Sequence, residues 1–391
     1  MGDPAQSSYP DRFADAVATT LEASLDLPRL RERVATQAET LVERGVFCRA
    51  RRILITGSGD SLFAATAVVP ALRRWTGLAV EAMSALQLAR YEAPVLGVGD
   101  LVVAVSNSGG SSRTRESVLL ARDAGVPTLA VTGDPEGPLA GLAQHLLVRQ
   151  VQPLDALPRH WGRVFLNMSE YLATLQALYE LALAIGTAAG RLSDAAAADW
   201  RDQLARATAA LSDVAARLEP EVATLAGELA GTPVIWTLGA GPNRGSAAYC
   251  AAKFHEQIPL AGIHQDLEEW AHLEYFLTLE LGRRSVVLVL APQGNAFDRA
   301  GELVSGIAGA GGHAIVVTDR ADPSFAAARA VLQIGERFPE LVTPLVYHLP
   351  VQLLVLHLAR LKRVPHIPLR RHDDYELIRG GTVRHQATGL S

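Results

Sequence analysis

The chain has 391 residues, 49% of them hydrophobic and 20% charged, with a formal net charge of −5. That length suits two domains better than one, and with no basic face or Lys/Arg run there is no reason to expect a nucleic-acid partner. Cys48 and Cys250 are too few and too far apart for a disulfide framework or a cysteine zinc site.

Taken in chain order, the opening MGDPAQSSYPDRF lacks the basic-then-apolar pattern of a signal peptide, so a cytoplasmic protein is expected. Residues 1–48 read as an N-terminal helical segment. A first domain, 49–189, alternates short β-branched runs at 52–56, 78–83, 100–106 and 127–132 with apolar-periodic stretches such as SLFAATAVVPALRRW. Continuous apolar strands between helices predict a parallel sheet covered on both faces. Ligands of such sheets collect beyond the carboxyl ends of the strands, where loops meet helix N-termini.

Two Gly/Ser loops fall at those places. Gly57-Ser58-Gly59-Asp60-Ser61 follows the first strand, and Ser106-Asn107-Ser108-Gly109-Gly110-Ser111-Ser112 follows the third, just before a helix beginning near Arg113. Hydroxyls and unpaired backbone N–H groups at the positive end of a helix suit an anion. Capping and turn formation favour the same residue types, so both readings stand at this point. Further on, LPRHWGRVF (157–165) either lines a cleft entrance through His160 and Trp161 or caps the helix that follows.

A long Ala-rich helical stretch over 190–230 reads as a linker, and a second domain over 231–363 repeats the first. ILITGSG (53–59) is echoed by IWTLGAG (235–241), VVAVSNSG (102–109) by VLVLAPQG (287–294), and LAVTGD (129–134) by IVVTDR (315–320). The offsets between matching residues are 182, 185 and 186. The fold class is therefore α/β, as two tandem, doubly wound parallel-sheet domains of flavodoxin-like type. The copies differ chemically: where the first has SNSGGSS, the second has APQGNA, so the serines occur once.

The second copy carries AAKFHEQIPLAGIHQDLEEWAHLEYF (251–276). Lys253 and Glu256, three apart in a helical pattern, share a face. His272 follows Glu256 by sixteen residues, after an expected strand at 261–265 and at the start of another helix. A carboxylate and an imidazole brought to one cleft are what aldose–ketose proton transfer needs, with a lysine to stabilise the developing oxyanion. An exposed Lys–Glu pair and a polar histidine would look the same in sequence. His255, His264, Asp266, Glu268 and Glu269 match no tight metal-ligand spacing, and no metal is expected. The apolar stretch 341–363 is interrupted by Pro344, His348 and Pro350 and reads as a buried or dimer-forming helix rather than a membrane span. The tail, 364–391, contains no lysine; Arg370, Arg371, His372 and Arg379 are its candidates for an electrostatic role.

These motifs resemble the SIS (sugar isomerase) domain, whose signatures are GxGxS after the first strand and SxSGx[ST] after the third. They stand here as Gly57-x-Gly59-x-Ser61 and Ser106-Asn107-Ser108-Gly109-Gly110-Ser111. The tandem arrangement over about 45–365 resembles the isomerase half of glucosamine-6-phosphate synthase and fructoselysine-6-phosphate deglycase. The resemblance implies that Ser61, Ser106, Asn107, Ser108 and Ser111 hold a substrate phosphate. It also implies that Glu256 is the base, with Lys253 beside it, that His272 opens the ring or shuttles a proton, and that a homodimer forms, because this histidine crosses between subunits in the family. No cofactor is implied. Departures are Asp60 in place of a usual threonine, Gly110 and Arg113 in place of acidic residues, Leu273-Glu274 after His272 in place of Gly-Pro, and the missing tail lysine. Gly59, Asp60, Arg113 and Arg371 are therefore further candidates for substrate binding, and Arg113 could partly offset Asp60.

The leading expectation is a phosphosugar aldose–ketose isomerase, with or without amination or deamination at C2. The chain opens Met1-Gly2-Asp3, so glutamine hydrolysis is not expected within it, and a synthase reaction would need free ammonia or a separate ammonia-supplying subunit. The alternatives are a deglycase or aminosugar-phosphate deaminase, and a non-catalytic phosphosugar-binding regulator. The first 45 residues hold no basic recognition helix for the last of these.

Overall fold

The computed structural model describes residues 26–151, 159–258, 260–363, 381, 383 and 384, with 159–167 as helix backbone only. The described chain divides into two compact units, one within residues 23–204 together with the tail residues and the other within 205–369.

In the N-terminal unit, α1 (Leu27–Glu43) precedes β1 (Arg52–Gly57), α2 (Asp60–Thr76), β2 (Ala79–Ser84), β3 (Asp100–Ser106), α3 (Ser112–Asp123), β4 (Thr128–Thr132), β5 (His145–Val148) and α4 (Arg159–Ala188). The strands form one parallel sheet in the order β2-β1-β3-β4-β5. The four strands expected from β-branched runs are present within a residue or so of their sequence limits. β5 was not foreseen; HLLV is short and sits at the sheet edge, where burial is partial and the apolar signal weak. The central strands β3 and β4 are buried along nearly their whole length, as a sheet covered on both faces requires.

On α4, residues from Met168 to Ile185 are nearly all buried, and the helix packs on α1 and α2. Each buried Leu there contributes about 1.5–3 kcal/mol of transfer free energy. Gly186 lets this helix approach the end of α2: a Cβ on it would lie 2.6 Å from the Trp75 carbonyl oxygen.

The expected single helical stretch over 190–230 is two helices, α5 (Asp194–Ala209) and α6 (Leu211–Leu229), and α5 runs across the boundary between the units. The C-terminal unit continues with β6 (Val234–Gly239), α7 (Asn243–Gln257), β7 (Ala261–Asp266), the short α8 (Leu267–Trp270), α9 (Tyr275–Leu281), β8 (Ser285–Ala291), α10 (Phe297–Gly309), β9 (His313–Thr318), β10 (Ala330–Gln333) and α11 (Leu349–Lys362). Its parallel sheet has the order β7-β6-β8-β9-β10, which repeats the connectivity of the first sheet strand for strand. The stretch Glu340–Lys362 is long and apolar enough to cross a membrane, but 89% of its most apolar window is buried within the protein. It divides at Val346–His348 into a 3-10 segment, Glu340–Leu345, and α11, which packs on α6 and α7 as a core helix.

Candidate functional site

In the N-terminal sheet, β1 and β3 are neighbours, and the chain leaves them in opposite directions, towards β2 and towards β4. Such a switch point leaves a crevice at the carboxyl ends of the two strands, where ligands of this topology bind. The two Gly/Ser loops are the loops that end β1 and β3. Gly57 is required where they meet: a Cβ there would lie 2.9 Å from the Val105 carbonyl oxygen and 2.9 Å from the Ser61 Cβ. Gly59 starts α2 with φ +57°, in the left-handed region.

Around this crevice Ser58, Ser108 and Gly110 are exposed, Ser61, Ser111 and Ser112 are half-buried, and Ser106 is buried. Ser111 is the residue before α3, yet its side chain makes no capping bond; its hydroxyl accepts instead from the Thr114 hydroxyl at 3.1 Å. The Ser108 hydroxyl accepts from the Gly110 N–H at 3.3 Å. The loop after β4 supports the serine loop from behind: the Thr132 hydroxyl and the Gly133 N–H donate to the Asn107 carbonyl, at 3.1 and 3.0 Å.

Asn107 departs from its expected role. Its side chain points away from the serines into a buried cluster, where its amide donates to the Glu170 carboxylate and its carbonyl oxygen accepts from Arg149 Nη1 at 3.1 Å. Arg149, which ends β5, is 1% exposed. Burial pulls its guanidinium down to about 10, against the nearby charges of Glu170 and Asp60, which act to raise it. Asp60 therefore has a buried cation within electrostatic reach. Arg113 is engaged elsewhere, in an ion pair with the fully buried carboxylate of Glu116, which also meets Arg90 Nε at 2.5 Å. The tail comes near it, since a Cβ on Gly381 would lie 3.5 Å from Arg113 Nη2. Arg149, Glu170, Glu116 and Arg90 were not anticipated. The available signal was a charged residue closing the apolar strand HLLV and another, Glu170, inside an apolar helical run.

In the C-terminal unit Lys253 and Glu256 share a face of α7, as their spacing predicts. The Lys253 ammonium is fully buried, 2.6 Å from a Glu256 carboxylate oxygen and 4.6 Å from the centre of the Tyr249 ring. Glu256 is half-buried, with its side chain 40% exposed. His348, at the start of α11, lies edge-on to Tyr249; burial pushes its imidazole down to about 3.

His272 lies elsewhere. It falls in the turn between α8 and α9 rather than at a helix start, 68% exposed, with Nε2 3.1 Å from Glu268. Arg244, at the start of α7, pairs with Asp266 at the end of β7, whereas His255, near the end of α7, bonds the Gly262 carbonyl near the start of β7. The helix thus runs antiparallel to the strand, with Glu256 at the amino edge of the sheet and His272 beyond its carboxyl edge. Six strand residues, roughly 20 Å, separate the two ends. The two groups expected in one cleft are not brought together within the unit. Of the other histidines, His264 is half-buried on β7, and the described residues contain no group of three potential metal ligands. Arg370, Arg371, His372 and Arg379 lie outside the described residues, as do the side chains of His160 and Trp161.

The switch point of the second sheet, between β6 and β8, is occupied by the chain itself. The Glu340 carboxylate accepts from the Asn295 N–H and from its side-chain amide, both at 3.1 Å, and fills the space a Cβ on Gly294 would need. The Gln293 N–H of the same loop donates to Asp319 at 2.9 Å, and the Tyr347 hydroxyl donates to that carboxylate as well. The loop that lost the serines still offers N–H groups to an anion, and the anion is a side chain.

Residues 47–182 match the family model of the SIS domain. The match covers the N-terminal unit alone. The chain is also 28% identical over 316 residues to a glutamine–fructose-6-phosphate aminotransferase (isomerizing) of Bradyrhizobium diazoefficiens, an alignment spanning 80% of this chain and 50% of that protein. The chain thus spans about half the length of the curated relatives it matches. The fold is similar to the C-terminal domain of glucosamine-fructose-6-phosphate aminotransferase from Francisella tularensis, with TM-score 0.76, 18% identity and coverage of 89% of this chain and 97% of that one. It is also similar to tagatose-6-phosphate ketose/aldose isomerase from Escherichia coli, with TM-score 0.65, 17% identity and coverage of 89% and 94%.

Proposed function

We propose that the chain is a phosphosugar aldose–ketose isomerase whose N-terminal unit holds the substrate phosphate on Ser61, Ser106, Ser108 and Ser111. The observation that supports this best is the convergence of two Gly/Ser loops at the β1/β3 switch point, with hydroxyls left accessible rather than spent on capping. The C-terminal unit is the second SIS copy in this reading, supported by its repeated strand order. Glu256 then takes a proton from C2 of the aldose and returns it to C1 through an enediolate. The buried Lys253 ammonium pairs with that carboxylate at 2.6 Å and favours the developing oxyanion. His272, at the opposite edge of β7, serves the site of a second copy in a homodimer. The names of the relatives extend the reading to amination or deamination at C2, with ammonia from solution or a separate subunit, and a phosphorylated substrate implies a cytoplasmic setting.

One observation favours a second reading, phosphosugar binding without turnover: Glu256 and His272 stand a strand's length apart within the unit. A panel of aldose, ketose and aminosugar phosphates assayed with wild type and Glu256→Gln separates the two. Isomerase activity lost by about a hundredfold or more in Glu256→Gln supports catalysis. Tight binding with no turnover of any member overturns it. Ser108→Ala with Ser111→Ala should weaken a phosphorylated ligand and leave its free sugar unaffected; equal weakening of both removes the phosphate assignment.

A further inference from the structure

The buried cluster behind the serine loop has chemistry that packing alone does not ask for. Arg149 is almost completely buried, yet its guanidinium is not matched one-to-one by a carboxylate. Nη1 donates to the Asn107 amide oxygen and, at 3.3 Å, to the Glu170 backbone carbonyl, while the Glu170 carboxylate takes its bond from Asn107. Nε has no hydrogen-bond partner among the described residues. The Arg149 N–H is tied to the Thr132 carbonyl at 2.8 Å, so the residue is fixed to the end of β4 as well as to the loop after β3. Burying a guanidinium is costly, and replacing such groups by apolar ones is often neutral or stabilising. Its location, directly beneath the residue that starts the serine loop, gives the charge a use.

We propose that Arg149 is the positioning residue of the anion cradle and the source of its charge selectivity. By holding the Asn107 amide inward against Glu170, it turns the backbone and hydroxyls of residues 108–111 to the crevice. Its guanidinium offsets Asp60, so that the crevice accepts a doubly ionised phosphate monoester in preference to a neutral polyol. This rests on the reading of the cradle as a phosphate site.

The test is calorimetric titration of fructose 6-phosphate, inorganic phosphate and fructose into the full chain between pH 5 and 7.5. The proteins are wild type, Arg149→Lys, Arg149→Met and the charge-neutral Arg149→Met/Glu170→Gln, which removes one charge of each sign and keeps the fold testable. The wild-type affinity for fructose 6-phosphate should rise as its phosphate loses the second proton near pH 6, roughly. Arg149→Met, which removes one positive charge, should bind about ten-fold more weakly at pH 7.5, the effect of one charge within about a Debye length, with the rise flattened and fructose binding unchanged, whereas the charge-neutral double variant should keep the rise with pH. Arg149→Lys should recover part of the pH response, which a group of purely structural value would not do. An Arg149→Met protein that keeps the wild-type pH profile and affinity, or a double variant whose rise is as flat as that of Arg149→Met, overturns the role of Arg149 while leaving the cradle intact. Failure of the wild type to bind either phosphate overturns the phosphate reading and this proposal together.

Discussion

Removing the Glu340 carboxylate should turn the loop after β8 into an open anion site. Glu340→Ala deletes two hydrogen bonds from Asn295 to a charged acceptor, each worth about 1.5–3 kcal/mol where water is excluded. Glu340 is half-buried and Asn295 can turn to solvent, so the net cost to stability should be about 1 kcal/mol. What remains is the N–H and the side-chain amide of Asn295, just before the thirteen-residue α10, with the Glu340 carboxylate gone and the Gln293 N–H still held by Asp319. Such a site should bind inorganic phosphate with a Kd on the order of 1 mM, about −4 kcal/mol. The assay is phosphate titration followed by calorimetry in the Ser108→Ala/Ser111→Ala background, so that the first cradle does not contribute, with urea denaturation for stability. Glu340→Gln, which fills the same space, should cost less stability and gain little phosphate affinity. If Glu340→Ala binds no phosphate at tens of Kd above that estimate, or the parent already binds as well, the idea that this side chain occupies an anion site is wrong.

Two other outcomes follow from the geometry. Gly57→Ala places a methyl 2.9 Å from a backbone oxygen and from the Ser61 Cβ; it should cost about 1–3 kcal/mol in urea denaturation and weaken sugar-phosphate binding, because the two loops can no longer meet. An alanine as stable as wild type would show that the loops yield at no cost. His348 is pushed down to about 3 by burial, chiefly, so the unfolded chain takes up a proton near its ordinary value of 6.5 and the folded chain does not. Stability present above that pH is therefore lost as pH falls from 6.5 towards 3, by about 1.4 kcal/mol per unit and about 2 kcal/mol by pH 5. His348→Gln should remove that part of the acid sensitivity in denaturation curves at pH 5 and 7; an unchanged slope refutes the assignment.

The strands and the two Gly/Ser loops were legible because local sequence decides them: β-branched runs make strands, and Gly57 and Gly59 meet steric demands that no other residue meets. The shared helix face of Lys253 and Glu256 was legible for the same reason, since three residues span most of a turn. What was not legible depended on pairings between distant segments. Arg149 meets Asn107 across 42 residues and Glu170 across 21, and nothing local distinguishes it from an exposed strand-end arginine. The sixteen-residue spacing of Glu256 and His272 did not reveal their placement, because α7 and β7 run in opposite directions and carry the two residues to opposite edges.

The charges at the two switch points explain why equivalent loops have different chemistry. Beside the first, Asp60 and Glu170 lie within electrostatic reach of the buried Arg149 guanidinium, while Glu116 pairs with Arg90 and Arg113. If the first crevice takes a phosphate, as proposed, its binding comes from hydroxyls and N–H groups aimed at it, with Arg149 set against the carboxylate of Asp60. Around the second, Glu340 and Asp319 already take N–H groups of the loop, and APQGNA has no serine hydroxyl to add to them. The serine-free loop APQGNA and the Glu340 carboxylate, 45 residues on in the chain, go together: the side chain takes the Asn295 N–H that would otherwise face the crevice.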